Sequence, residues 1–259
     1  MPTVFALDQY RFGIPAIILG VIAAIVCQTL LKRCLGHETI RKCHEVGGYY
    51  LSIVGTFYAV LIGLIVFEAL SKYQLAEQSV ENESKSLIAI HTLAKRFPEQ
   101  EQTLRPTVRA YADEVIATEW AKSGERHESP KARVLLLRII DNILSIEPRS
   151  DNQRALYPIL TAEAVSLWEN RRARTRATNY RIPTAEWVVL ILGASITIIF
   201  TYFFTIDSHF IHLVMTGMMT LLVSMSLYLI LLFGDPFSGD MRVSNSGLVL
   251  AQGVMRSLE

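Results

Sequence analysis

Apolar residues gather in four long runs separated by polar stretches, and the second run organises the rest. Residues 47–70 read GGYYLSIVGTFYAVLIGLIVFEAL, with Glu68, near the end, as the one charged residue. A helix rises ~1.5 Å per residue and bilayer hydrocarbon is ~30 Å thick, so about 20 apolar residues span it. This run is long enough. Gly48, Ser52, Gly55, Ala59 and Gly63 recur at helical spacing, which places small side chains on one face, where they let helix backbones approach in lipid. No Gly or Pro interrupts the pattern from there to Pro98. A membrane helix is therefore expected to continue into the first helix of a polar domain.

The other spans are expected at 13–31, 184–206 and 210–233. Pro15 falls near the start of the first, where a missing N–H is tolerated, and Lys32 and Arg33 close it at an interface. Trp187 and Tyr202 suit the interfacial aromatic belt at the two ends of the third. Asp207, Ser208 and His209 form a short turn into the fourth, which carries Met215, Met218, Met219 and Met225.

The polar segment 71–181 holds four helical patterns. The first continues to Phe97, with Leu87, Ile90, Leu93 and Ala94 on one side. The second, 102–122, repeats Leu104, Val108, Tyr111 and Val115. The third follows Ser129-Pro130, a cap residue with proline at the first helical position, and its stripe is Val134, Leu137, Ile140 and Leu144. The fourth runs from 151 to about 177, with Leu156, Leu160, Ala164 and Leu167 inward. In the tail, Gly234, Pro236 and Gly239 mark a turn, and a last helix is expected over 248–258. The chain thus reads as all-α: a first membrane pair within 1–70, a polar helical bundle over 71–181 inserted before a second membrane hairpin in 182–234, and a tail over 235–259.

Composition agrees. Of the 259 residues 51% are hydrophobic and only 19% charged, fewer charges than the ~25% usual in soluble domains. A net charge of +1 gives no reason to expect a nucleic-acid partner. Cys27, Cys34 and Cys43 do not make a disulfide framework. The N-terminus lacks the positive region and cleavage site of a signal peptide, so the first run is expected to be retained. Basic residues are more numerous on the side of the polar domain, which favours a cytoplasmic placement, although the short loop carrying Arg41 and Lys42 is basic as well. Serine-hydrolase, P-loop, metalloprotease and dinucleotide motifs are missing, so an enzyme is not expected. Cys34, His37, Cys43 and His44 share one loop, but their spacing fits no usual zinc site, and neither a metal nor a cofactor is expected.

The stretch GTFYAVLIGLIVFEALSKYQLAEQSVENESKSL resembles the second membrane helix of bacterial bestrophins, and DPFSGD after the fourth span resembles their Pro-Phe-Gly tail segment. The chain is similar to the bestrophin-like family of bacterial membrane proteins. The resemblance implies a homopentamer in the bacterial inner membrane, with a central pore lined by the second helix that conducts small anions. Three features depart from bestrophins: no proline lies within 47–70, Leu75-Ala76 stands in place of an Arg-Trp pair, and the acidic tail is reduced to Asp235 and Asp240.

Four sets of candidate residues follow. Gly55, Ala59, Ile62, Gly63, Ile65 and Val66 would line the pore, with Ile62 and Ile65 or Val66 as a dewetting gate; the same residues also suit a buried packing helix. Glu68 would bear on selectivity, where a ring of carboxylates favours cations. The basic run Arg171, Arg172, Arg174, Arg176 and Arg181 would attract anions or acidic lipid, or else mark topology. Asp235, Pro236, Phe237, Ser238, Gly239 and Asp240 form a turn that either clasps a cation or packs onto the fold. The alternative to a channel is a non-conducting, membrane-anchored interaction or sensor protein.

Overall fold

The computed structural model describes residues 7–34, 44–120, 128–204 and 208–258. Among them the regular structure is helical: α1 (Tyr10–Cys34), α2 (His44–Ala94), α3 (Pro98–Glu114) with a π-helical turn (Val115–Trp120), α4 (Pro130–Leu144), α5 (Asp151–Thr178), α6 (Thr184–Tyr202), α7 (His209–Phe233) and α8 (Ser246–Ser257). The uninterrupted apolar-to-polar pattern does form one helix, α2, of 51 residues. Two compact units result: Met1–Lys72 with Arg181–Met241, and Tyr73–Tyr180 with Arg242–Glu259. The tail is therefore divided, its turn belonging to the first unit and α8 to the second.

Among the described residues four helices, α1, α2, α6 and α7, are long and apolar enough to cross a membrane. The protein is an integral membrane protein. Helix α1 packs along α7 and touches α6, and α6 packs on α7. Close approaches fix the α1–α7 register as antiparallel. Gly13 lies under the Tyr228 ring, Gly20 is near Ser224, and Gly217 abuts Val21 and Ile25. Helix α2 is anchored by Tyr58, whose hydroxyl donates to the Leu190 carbonyl at 3.1 Å. Its ring occupies the space beside Gly193, where an added Cβ would come within 2.5 Å. Tyr58, Ala194 and Val223 form a small core, with Leu61, Ile62, Ile198 and Leu227 against it.

In the second unit α3 packs on α4 and α8, and α4 on α5. Leu104, Val108, Tyr111 and Val115 are buried, as their spacing requires. Ser129 caps α4 by accepting the Ala132 N–H, and Ser150 and Gln153 make a reciprocal capping box at α5. Pro106 and Pro158 lie inside α3 and α5 without ending them. The buried face of α4 departs from expectation. Ala132, Leu135, Leu136, Ile139 and Ile143 face inward, while Val134, Leu137 and Leu144 are exposed. The segment PKARVLLLRIIDNIL is apolar on two adjacent faces, so both stripes satisfy the 3.6 period and only the neighbours select one.

Candidate functional site

The orientation of α2 follows from Tyr58. Counting from it in steps of three and four, Ile62, Ile65 and Ala69 return to the same face. Ile62 packs half-buried against the Tyr58–Ala194–Val223 core, Ile65 is half-buried and Ala69 buried. Ile62, expected as a gate residue, packs in this subunit against the Tyr58 core, because the hydroxyl anchor of Tyr58 turns that face towards α6. Gly55 and Val66 flank it, half-buried, and Ala59, Gly63 and Glu68 are exposed. Nothing lies within 4 Å of a Cβ added at Gly55 or Gly63, so these two do not serve close packing inside the subunit. The face opposite Tyr58 is a row of large apolar side chains: Tyr49, Ile53, Phe57, Val60, Leu64 and Phe67, with Phe57 at 75% and Phe67 at 69% exposure. Sequence reasoning missed this row because it followed the small residues; the run of bulky side chains at intervals of three and four was the signal.

The tail turn meets the start of α1. The Asp240 carboxylate accepts the Tyr10 N–H at 2.7 Å, at the positive end of the α1 dipole. The Asp240 N–H donates to the Asp8 carbonyl at 3.4 Å, and the Ser238 hydroxyl donates to the Asp8 carboxylate. Asp8 is 8% exposed, and Pro236 is buried with Phe237 beside it half-buried. Gly239 has φ +68°, and the Asp8 carbonyl oxygen lies 2.6 Å from where its Cβ would stand. Nothing in the sequence singled out Asp8. Among the described residues no group of three Cys, His, Asp or Glu is placed to hold a metal ion. The Cys34, His37, Cys43 and His44 side chains lie outside the described residues.

The basic run is split by the turn of α5. Arg172 and Arg176 are exposed, whereas Arg171 and Arg174 are buried. Arg174 donates to both oxygens of Glu83, at 2.6 and 3.1 Å, and to Glu119 at 2.7 Å. Its guanidinium lies 5.0 Å from the Trp120 ring centroid. Arg171 donates to Glu119 at 2.9 Å and to the Tyr111 hydroxyl at 3.2 Å. The Tyr111 hydroxyl donates to Glu83 at 2.5 Å. Arg171 and Arg174, expected to attract anions or acidic lipid, are buried here and their charges answer buried carboxylates. The sequence pointed to neither partner, since Glu83 is 91 and Glu119 is 52 residues away.

Burial raises the Glu119 carboxyl, but Arg174, Arg171 and the Ser129 N–H outweigh it and hold it below the usual range. Hydrogen bonds from Lys131, Ser129 and Thr118 hold Glu114 at about 2. Burial, then the Glu83 carboxylate, push the Tyr111 hydroxyl up. For carboxyls depressed in the fold, stability is present above the unfolded value of ~4.3 and is lost as pH falls. The thermal midpoint of detergent-solubilised protein is expected to fall from about pH 4.5 down towards about 2, and Glu114→Gln should weaken that acid dependence; an unchanged profile in the variant counts against Glu114 as a contributor.

The bestrophin-like domain family matches residues 18–248. Structures of a bacterial bestrophin homologue from Klebsiella pneumoniae, each with a point mutation, share the fold. One superposes with TM-score 0.70 at 13% identity, covering 94% of this chain and 98% of the other. A second gives 0.68 at 14%, covering 95% and 97%. A third gives 0.67 at 15%, covering 93% and 98%. No curated protein matches by sequence. With the family match running through all four spans and the polar unit, the chain belongs to the bestrophin-like family.

Proposed function

We propose that the protein is an ion channel of bestrophin-like architecture, a homopentamer whose α2 helices surround the conducting axis. The observation that carries this reading is the outward apolar row of α2. Tyr58 locks the opposite face into the subunit, so Ile53, Phe57, Val60, Leu64 and Phe67 face away from the subunit's own core. A ring of such side chains gates by dewetting without needing a charge. Ala59, Gly63 and Glu68 are exposed beside the row, while Gly55, Ile65 and Val66 are half-buried towards the Tyr58 side. Anion conduction rests on the likeness to bestrophins. Exposed Arg172 and Arg176 remain available to draw anions or acidic lipid head groups. The greater number of basic residues beside the polar unit favours its cytoplasmic placement, in a bacterial inner membrane.

The test is chloride efflux from liposomes holding the purified protein, with the mass of the detergent complex measured alongside. A five-subunit mass and an efflux above that of protein-free vesicles are expected. Val60→Ala and Leu64→Ala should raise the efflux several-fold. Ile62→Ala should lower stability by about 1–3 kcal/mol, as a partly filled cavity does, and leave efflux unchanged. A monomer or dimer removes the axial pore. A pentamer that passes no ion in any of these forms supports the non-conducting, membrane-anchored interaction protein instead.

A further inference from the structure

One ring in the membrane unit joins three helices. His212 of α7 is 2% exposed. Its Nε2 lies 2.9 Å from the Thr201 carbonyl of α6, and its Nδ1 lies 2.5 Å from Lys32 Nζ of α1. A carbonyl can only accept, so Nε2 carries the proton and Nδ1 offers its lone pair to the Lys32 ammonium. That tautomer satisfies both contacts and leaves His212 neutral. A second proton on Nδ1 turns the acceptor into a donor and sets two cations side by side in a part-buried site, where repulsion is less screened than in open water. We propose that His212 is a proton-operated lock: neutral, it holds α1 and α6 to α7; protonated, it releases Lys32 and loosens α1.

The surroundings suit such a device. Lys32 is half-buried at the end of α1 beside exposed Arg33, so the ammonium can swing towards the interface when displaced. Among the described side chains the ionisable groups acting on the ring are Lys32 from α1 and His209 from α7 itself, both basic, while α6 contributes the Thr201 carbonyl. No described carboxylate is therefore among the groups positioned to stabilise the imidazolium. Protonation of the ring on acidification would therefore release the lock.

The test uses the full chain in detergent. His212→Gln keeps both contacts without titrating, because its amide oxygen can accept from Lys32 and its NH2 can donate to Thr201. Between about pH 7.5 and about pH 5.5, the thermal midpoint of the unsubstituted protein should fall about 3 °C further than that of His212→Gln. Imidazole nitrogen NMR, with the His212 signal identified by its loss in that variant, should show an unprotonated Nδ1 at neutral pH. In Lys32→Met, Nδ1 should take its proton at a higher pH than it does with Lys32 present. Equal midpoint shifts, or Nδ1 protonation at the same pH with and without Lys32, would overturn the lock. If His212→Gln fails to fold, the ring signal in Lys32→Met decides the matter alone, its assignment then made by elimination, each of the other five histidines being replaced by Gln in turn. These readouts are independent of conduction.

Discussion

Arg174→Ala is expected to destabilise the polar unit by about 3–5 kcal/mol, the cost typical of removing one partner from a buried ion pair. The guanidinium donates to Glu83, whose side chain is 0% exposed, and to Glu119. Its loss leaves the buried Glu83 carboxylate without its cationic partner and Glu119 with Arg171 alone. Arg171 cannot compensate, since it already reaches Glu119 and Tyr111. Arg174→Lys should recover little, because an ammonium cannot reproduce the fork that meets both Glu83 oxygens and Glu119 together. Pairing Arg174→Met with Glu83→Gln should restore part of the loss, since it removes the stranded charge along with its partner. Chemical unfolding followed by circular dichroism checks the magnitude, and fluorescence of Trp120, against which Arg174 lies, reports on the site itself. A single-variant loss below about 1 kcal/mol would place the network in the class of weak surface pairs.

Gly239→Ala carries the second large effect, in the membrane unit. At φ +68° an L side chain costs about 1–2 kcal/mol on backbone grounds alone. Here the new Cβ would also stand 2.6 Å from the Asp8 carbonyl oxygen, a backbone atom that cannot swing aside. Either the turn opens or Asp8 retreats, and both outcomes break the hydrogen bonds from Ser238 and Tyr10 that tie the tail to the start of α1. The expected result is faster hydrogen exchange at the Tyr10 and Asp240 amides and a thermal midpoint lower by several degrees. Asp240→Asn should act on the same amides but more weakly, since it keeps an acceptor for the Tyr10 N–H and loses only the charge that favours the helix N-terminus. Unchanged exchange at Tyr10 in Gly239→Ala would show that the turn tolerates the side chain.

The fold was legible from the residues because helices and membrane spans depend on sums along short stretches. The 3.6 period, the length of each apolar run, Ser129 and Ser150 as caps, and the absence of Gly or Pro before Pro98 are all local quantities. They locate the four spans, the extension of α2 and most of the inward stripes of the polar unit. What failed depends on which neighbour a face meets. The segment of α4 is apolar on two sides, and packing alone selected Leu136 and Ile139 over Val134 and Leu137. Ile62 and Phe57 are both apolar and both on α2, and only the bond from Tyr58 to Leu190 decides which is inside.

The arginines of α5 look alike in sequence. Arg171 and Arg174 are separated from Arg172 and Arg176 by the presence of Glu83 and Glu119 across the bundle. The pairing of Asp8 with Ser238 joins residues 230 apart. Periodicity along one element says how wide its apolar face is; it does not say what lies across from it. By itself the sequence therefore determined the elements, their lengths and the bilayer, because these follow from backbone geometry and transfer free energy. The tertiary structure alone decided which charges are buried, which face of α2 is turned outward and what holds the tail, because those depend on long-range partners whose positions no local pattern carries.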